Sequence, residues 1–205
     1  MAELILIRHG KTAGNLLGRY IGSRTDEPLC DEGREGLAGK QMPEVERLYV
    51  SPMKRCVETA EILWPGFDRK KMQKVTDLRE CDFGDFENKN YKELSGNGDY
   101  QAWIDSNGTL PFPNGESMDA FKSRCLEAFA RIVENVSGAE QEWIASGKTG
   151  IFRAGIVVHG GTIMAILEQY GYPKAAYFDY QVKNGCGYRL TPVEGTRLWN
   201  CLCLQ

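Results

Sequence analysis

Strands and helices alternate along this 205-residue chain, which predicts an α/β fold: a three-layer sandwich, a mostly parallel central sheet with helices on both faces. Three observations carry that expectation. Residues 4–7 (Leu-Ile-Leu-Ile) and 155–158 (Gly-Ile-Val-Val) are apolar runs without alternation, as strands covered on both faces are. Gly160-Gly161-Thr162 directly follows the second run and opens a helix reaching about Tyr170. Between them, Met118, Phe121, Cys125, Phe129, Ile132 and Val136 recur at three- and four-residue spacing, the stripe of a long amphipathic helix.

In chain order, the run at 4–7 is the first strand and ends at a polar turn. Asp31 is placed to cap a short helix to about Met42, although Gly33, Gly36 and Gly39 weaken it. Residues 47–50 form the second strand. Ser51 and Pro52 then read as an N-cap and a first-turn proline, opening a helix that Pro65-Gly66 stops after Trp64. Residues 81–116 are rich in Gly, Asn and Asp and are expected to be irregular, with one short helix at 100–104 and a lid over roughly 85–115. After the long helix and the strand at 155–158, further strands are expected near 187–190 and 197–202. The whole is expected to form one domain, without internal repeats.

Composition narrows the functions. A hydrophobic fraction of 42%, a charged fraction of 26% and a net charge of −3 describe an ordinary soluble protein and argue against a general nucleic-acid surface. Residues 1–10 lack the basic, long apolar and small-residue regions of a signal peptide, and no apolar stretch is long enough to span a bilayer. Seven cysteines without a Cys-x-x-Cys pair read as reduced thiols of a cytoplasmic protein. No membrane partner is expected, and the protein is expected to be a monomer or a homodimer. Cys56 and Cys81 stand beside candidate catalytic residues; small apolar filler is the expected role, with oxidation sensitivity as the alternative.

The chain has two histidines, His9 and His159, and each immediately follows an apolar strand. In parallel sheets ligands bind beyond the carboxyl ends of strands, so both point to the functional edge. One histidine so placed is usually structural; two, each followed by glycine, indicate chemistry. Arg8 precedes His9, and Arg55 lies one turn into the helix after the second strand. Guanidinium forks match pairs of phosphate oxygens, and a helix N-terminus adds partial positive charge. By itself, Arg55 would read as part of a solvated helix face.

Arg8-His9-Gly10-Lys11-Thr12, with Asn15, resembles the signature of the histidine phosphatase superfamily, whose members include phosphoglycerate mutases, fructose-2,6-bisphosphatases and alpha-ribazole phosphatases. Further blocks follow in the family's order: Tyr20-Ile21-Gly22 with Asp26 and Pro28-Leu29, then Ser51-Pro52-Met53-Lys54-Arg55 with Thr59-Ala60, then Leu78-Arg79-Glu80 with Phe83-Gly84. Asn114-Gly115-Glu116-Ser117 and Val157-Val158-His159-Gly160-Gly161 complete the set. The resemblance implies a phosphoglycerate mutase-like fold and a phosphohistidine mechanism. It assigns His9 as nucleophile, Arg8, Arg55 and His159 to the phosphoryl oxygens, and Glu80 as proton donor. Asn15, Gly22 and the Gly160 amide are implied to bind the phosphate or its substituents. No metal and no cofactor are implied, and the partner is a small phosphorylated substrate.

Departures bear on substrate choice. Lys11 stands where many members carry an acidic or neutral residue, Gly36 where glutamine is common, and Phe86-Glu87-Asn88 only partly follows Trp-Glu-Gly. The segment after Glu80 lacks the paired arginines with which mutases grip a substrate carboxylate, which favours a phosphatase. Leu78-Arg79-Glu80-Cys81-Asp82-Phe83-Gly84 and Asn184-Gly185-Cys186 look most like the alpha-ribazole phosphatases, which act in cobalamin nucleotide-loop assembly. The alternatives are a cofactor-dependent phosphoglycerate mutase and a non-catalytic phosphate-ester-binding protein. A metal-dependent hydrolase is disfavoured by the absence of His-Glu-x-x-His.

Overall fold

A computed structural model describes residues 2–205. Seven strands form one sheet: β1 (Glu3–Arg8), β2 (Arg47–Val50), β3 (Gln73–Lys74), β4 (Arg153–Val158), β5 (Gly171–Tyr172), β6 (Gly187–Pro192) and β7 (Trp199–Leu204), in the order β3-β2-β4-β1-β6-β7-β5. The neighbours β3, β2, β4 and β1 run parallel, and β5 runs parallel to β7. β6 lies antiparallel to both β1 and β7, so the sheet is mixed but mostly parallel.

The period-2 geometry of strands divides β1 between two cores. Leu4 and Leu6 face one side with Ile156, Val158, Phe129, Ile132 and Ile166, under α5 (Met118–Ala145) and α6 (Gly160–Tyr170). Ile5 and Ile7 face the other with Leu48, Val50, Val57, Ala60 and Trp64, under α3 (Lys54–Leu63). Each fully buried aliphatic side chain adds about 1.5–3 kcal/mol of transfer free energy, so a run covered on both faces is favoured as the centre of the sheet. α5 buries Phe121, Cys125, Phe129, Ile132 and Val136, the expected stripe, while Met118 is half-buried. Ser117 caps α5 by accepting the Ala120 N–H (3.2 Å).

Several expected elements differ. α1 (Ala13–Leu16) follows β1, and α2 (Asp31–Glu35) ends well before Met42, because Gly36 and Gly39 remove helix propensity and Gly39 takes a positive φ of 78°. Its cap position is Cys30; Asp31 is the first helical residue. α3 begins at Lys54, with Met53 at the cap position and no cap bond from its own side chain. Asp26, from the preceding loop, accepts the Lys54 N–H instead (2.7 Å). That frees Ser51 for another partner and meets the positive end of α3 with a carboxylate. The last strand starts at Trp199 rather than Arg197.

Residues 81–116 hold a 3₁₀ turn (Gly84–Phe86) and α4 (Gly98–Asp105), longer than expected. Their aromatic rings close on one another: Phe86 meets Tyr100, Trp103 and Phe112 edge-on at 5.3, 6.2 and 5.9 Å, and Tyr20 meets Phe83 at 5.4 Å. This cluster joins Cys81, Phe121 and Ala165 in a third core, which seats the excursion on the start of α5 and on α6.

Candidate active site

The carboxyl ends of β1, β2 and β4 converge. β1 and β4 are in register with Arg8 opposite Val158, so the next residues, His9 and His159, leave the sheet side by side. Their ring centroids are 5.2 Å apart at 65°. Arg55 enters from α3, which follows β2, and no part of it reaches solvent. Its Nε donates to His159 Nδ1 (3.3 Å), Nη1 to the Thr25 carbonyl (2.8 Å), and Nη2 to the carbonyls of Gly22 (3.1 Å) and Ile21 (3.4 Å). At least one of the five guanidinium N–H groups is left over.

The proton positions follow from the partners. His9 Nδ1 lies 2.6 Å from the Gly10 carbonyl, which can only accept, so Nδ1 holds the proton and Nε2 keeps its lone pair. His159 Nδ1 accepts from Arg55, so Nε2 donates to Ser51 Oγ at 2.7 Å. Burial, then Arg55, then Arg8 hold the His9 imidazole well below its ordinary 6.5. Burial and Arg55, with His9 and Arg8, do the same to His159. Both rings are therefore neutral at pH 7.

Arg8 spends Nη1 on the Val182 carbonyl (2.7 Å), and its buried Nε has no acceptor among the described residues. Glu80 is 8% exposed and its Oε1 takes the Cys81 N–H at 3.0 Å. Burial raises its pKa, and the Cys81 amide, Arg55, Arg8 and the Gly161 amide only partly oppose that. Glycine gives these groups room where they meet α6. A Cβ on Gly160 would stand 3.3 Å from Arg8 Nε, and one on Gly161 would stand 2.8 Å from Glu80 Oε1. Arg8, His9, Arg55, Glu80 and His159, read from separate parts of the sequence, thus line one site.

A family model described as the histidine phosphatase superfamily (branch 1) matches residues 4–203. The chain belongs to that superfamily. A phosphoglycerate mutase-like protein 4 of Arabidopsis thaliana is 30% identical over 82% of this chain and 70% of its own length. The adenosylcobalamin/alpha-ribazole phosphatase of Salmonella typhimurium is 27% identical over 94% of this chain and 92% of its own. The alpha-ribazole phosphatase structure from Shigella flexneri superposes with a TM-score of 0.74 at 23% identity, covering 98% of this chain and 95% of that one, a likeness of fold. The homologues support a phosphatase-type enzyme.

Within this superfamily frame, three residues to which the sequence reading gave no role in the site tie it together. Ser51, freed from capping, holds His159. Thr59 Oγ1 accepts the Gly10 N–H (2.9 Å) and donates to the Arg55 carbonyl (2.6 Å), linking the His9 turn to α3. Asn184 Nδ2 donates to the carbonyls of His9 (3.1 Å) and Gly10 (3.4 Å) and to Asn15 Oδ1 (3.2 Å). Signal existed for each: Ser51 and Thr59 flank Arg55 within the matched block, and Asn184 belongs to the matched turn.

The candidate binding residues are placed differently from one another. Asn15 Oδ1 is occupied by the Thr12 N–H and Asn184, which leaves its Nδ2 for a ligand. Gly160 is the first residue of α6, so its N–H has no intrahelical acceptor. The Gly22 N–H is bound to Glu87 Oε1 at 3.0 Å, and the Gly22 carbonyl serves Arg55. Glu87 also takes the Phe83 N–H (3.3 Å). Asn88 has a φ of 58°, a left-handed conformation asparagine tolerates. Cys56 is fully buried, 3.6 Å from His159 Nε2, with its thiol pushed up to about 12 by burial. Cys81 is buried and also raised, first by burial and then by Glu80 and Glu116. Thiols so held are not thiolates at neutral pH, which agrees with the apolar filler role.

Proposed function

We propose that this chain hydrolyses phosphate monoesters of small metabolites through a phosphohistidine formed on His9. The observation that carries the reading is an unprotonated Nε2 on His9 next in sequence to Arg8, whose buried Nε lacks any acceptor among the described residues. A donor left unsatisfied in a protein interior is costly, and an incoming phosphoryl oxygen would satisfy it.

The steps follow from the groups present. The His9 Nε2 lone pair attacks phosphorus, and the bond from phosphorus to the ester oxygen breaks in line. Arg8, Arg55 and His159 surround the equatorial oxygens and offset the charge there. For His159, the long 3.3 Å contact from Arg55 to Nδ1 gives way when a monoanionic ester binds: Nδ1 takes the proton of its phosphoryl O–H and donates it back to that oxygen as a hydrogen bond. Glu80, which burial lets keep its proton to higher pH than an exposed carboxyl does, passes that proton to the leaving alkoxide. The resulting carboxylate then takes a proton from water as the water oxygen attacks phosphorus. The N–P bond breaks, and inorganic phosphate and free His9 result. Asn15 Nδ2 and the Gly160 N–H supply further donors to the phosphoryl oxygens. Gly22 acts through Arg55 rather than by its amide.

Hydrolysis is favoured over mutase chemistry because residues 81–123 contain no arginine to hold a second anionic group. The 27% identity to an alpha-ribazole phosphatase across 94% of the chain supports alpha-ribazole 5′-phosphate as the first substrate to try. The test is kcat/KM across alpha-ribazole phosphate, an alkyl phosphate, p-nitrophenyl phosphate and 3-phosphoglycerate with and without a bisphosphate primer, using His9→Ala as the blank. Phosphate release with an acid-labile label on His9 is expected. Primer-dependent transfer without net release would identify a mutase, and binding without turnover a phosphate-ester-binding protein. Glu80→Gln is expected to lose roughly 10²–10⁴-fold on the alkyl phosphate and far less on p-nitrophenyl phosphate.

A further inference from the structure

The segment that carries Glu80 has no regular structure: a 3₁₀ turn ends at Leu78, another begins at Gly84, and nothing in a strand or helix fixes the backbone between them. Groups from outside do, among them the Ser23 N–H on the Cys81 carbonyl (3.1 Å) and, most extensively, one arginine. Arg124, in the second turn of α5, is 13% exposed at its side chain and turns its guanidinium onto this segment. Nη1 donates to the carbonyls of Asp77 (2.7 Å) and Arg79 (2.8 Å), and Nη2 to the carbonyl of Glu80 itself (3.0 Å). The remaining N–H groups go to Glu116: Nε to Oε1 (2.7 Å) and Nη2 to Oε2 (2.8 Å). All five donors are thereby spent within the protein. Glu116 closes the other side, because its Oε2 takes the Asp82 N–H (3.4 Å) and its own N–H goes to the Asp82 carbonyl (2.9 Å). The Phe121 ring lies 5.0 Å from the guanidinium, so Arg124 is fixed from its own helix as well.

We propose that Arg124, oriented by Glu116, is a positioning residue for the acid–base carboxylate Glu80, setting where its oxygens stand relative to the ester oxygen. This rests on the reading of Glu80 as proton donor. The physical reason is the direction of the contacts. Three carbonyls within four residues, that of Glu80 among them, converge on one planar cation, which fixes the Glu80 main chain. From that fixed point its carboxylate meets the Cys81 amide and α6. An ammonium would keep the charge beside Glu116 but cannot present a fork to three carbonyls and two carboxylate oxygens together.

The experiment compares Arg124→Lys, Glu80→Gln and the double variant on an alkyl phosphate and on p-nitrophenyl phosphate, whose leaving group needs little protonation. Arg124→Lys is expected to lose roughly tenfold to a hundredfold in kcat on the alkyl ester, since a misplacement near 1 Å costs about that much. On p-nitrophenyl phosphate it is expected to stay within about twofold, with KM little changed. The double variant is expected to lose no more than Glu80→Gln alone, because both changes remove one function. Equal losses on both esters, no loss on either, or additive losses would overturn the proposal and leave Arg124 as structural support. If Arg124→Lys does not fold, Glu116→Gln carries the same comparison, since losing a carboxylate contact loosens the guanidinium that the three carbonyls converge on. Absence of the leaving-group split in Glu80→Gln would overturn the acid assignment itself, and the positioning role with it.

Discussion

Two neutral imidazoles buried at one sheet edge make the fold sensitive to acid in a calculable way. His9 is 3% exposed and His159 is fully buried, and in both burial followed by the neighbouring Arg55 lowers the folded-state pKa well below 6.5. The unfolded chain therefore binds more protons than the folded one as pH falls below 6.5, and stability declines with it. Each histidine costs about 1.4 kcal/mol per pH unit in the range below 6.5 and above its folded pKa, so together they remove about 2.8 kcal/mol between pH 7.5 and 5.5. Glu80 acts in the opposite sense: its folded pKa is raised, so between its unfolded and folded values the folded state holds the extra proton and gains as pH falls. It offsets at most one of the two histidines. Urea unfolding at both pH values, in buffers free of phosphate and sulfate, separates these contributions when the wild type is compared with His9→Asn/His159→Asn. The wild type is expected to lose up to about 2.8 kcal/mol more than the double variant over that interval, because Glu80 is present in both and cancels. Parallel pH dependence in the two proteins would refute the assignment of both rings as neutral and buried.

Asp26→Ala removes the acceptor of the Lys54 N–H and is expected to cost about 1 kcal/mol in urea unfolding, as loss of a helix cap does. Gly161→Ala places a methyl 2.8 Å from Glu80 Oε1 and 3.1 Å from the Phe121 ring; kcat on alkyl phosphates is expected to fall about tenfold or more in steady-state assays. Gly138→Ala, in α5 with open space around it, is expected to add about 0.8–1 kcal/mol and to raise Tm in a calorimetric scan. Mass spectrometry after brief alkylation of the native protein is expected to find the label on exposed Cys203 and not on Cys56 or Cys125, which only unfolding uncovers.

The parts of the fold legible in sequence were those with a local signature. Residues 4–7 and 155–158 are apolar on both faces, and the α5 stripe repeats with the helical period, so each marks its element without help from elsewhere. The site was legible because its histidines and Arg8 sit at strand ends, where backbone direction fixes their place. What escaped were contacts between distant residues. Asp26 caps a helix 28 positions away, Ser51 reaches a histidine 108 positions away, and Glu87 binds the Gly22 amide across 65. β3 and β5 have two residues each, too few for any pattern to show. The antiparallel course of β6 is set by where the chain re-enters beside β1, and the run at 187–190 carries no mark of direction.

Arg55 reaches the loop at 21–25 only through main-chain oxygens, those of Ile21, Gly22 and Thr25. Every amino acid brings the same oxygen to such a bond, so the identities at 21, 23, 24 and 25 are uncoupled from the guanidinium they help to seat. Substitutions at 23, 24 and 25 can therefore change the side chains this stretch presents while the bonds that seat Arg55 persist. Drift in the loop and constancy of the guanidinium are compatible for that reason.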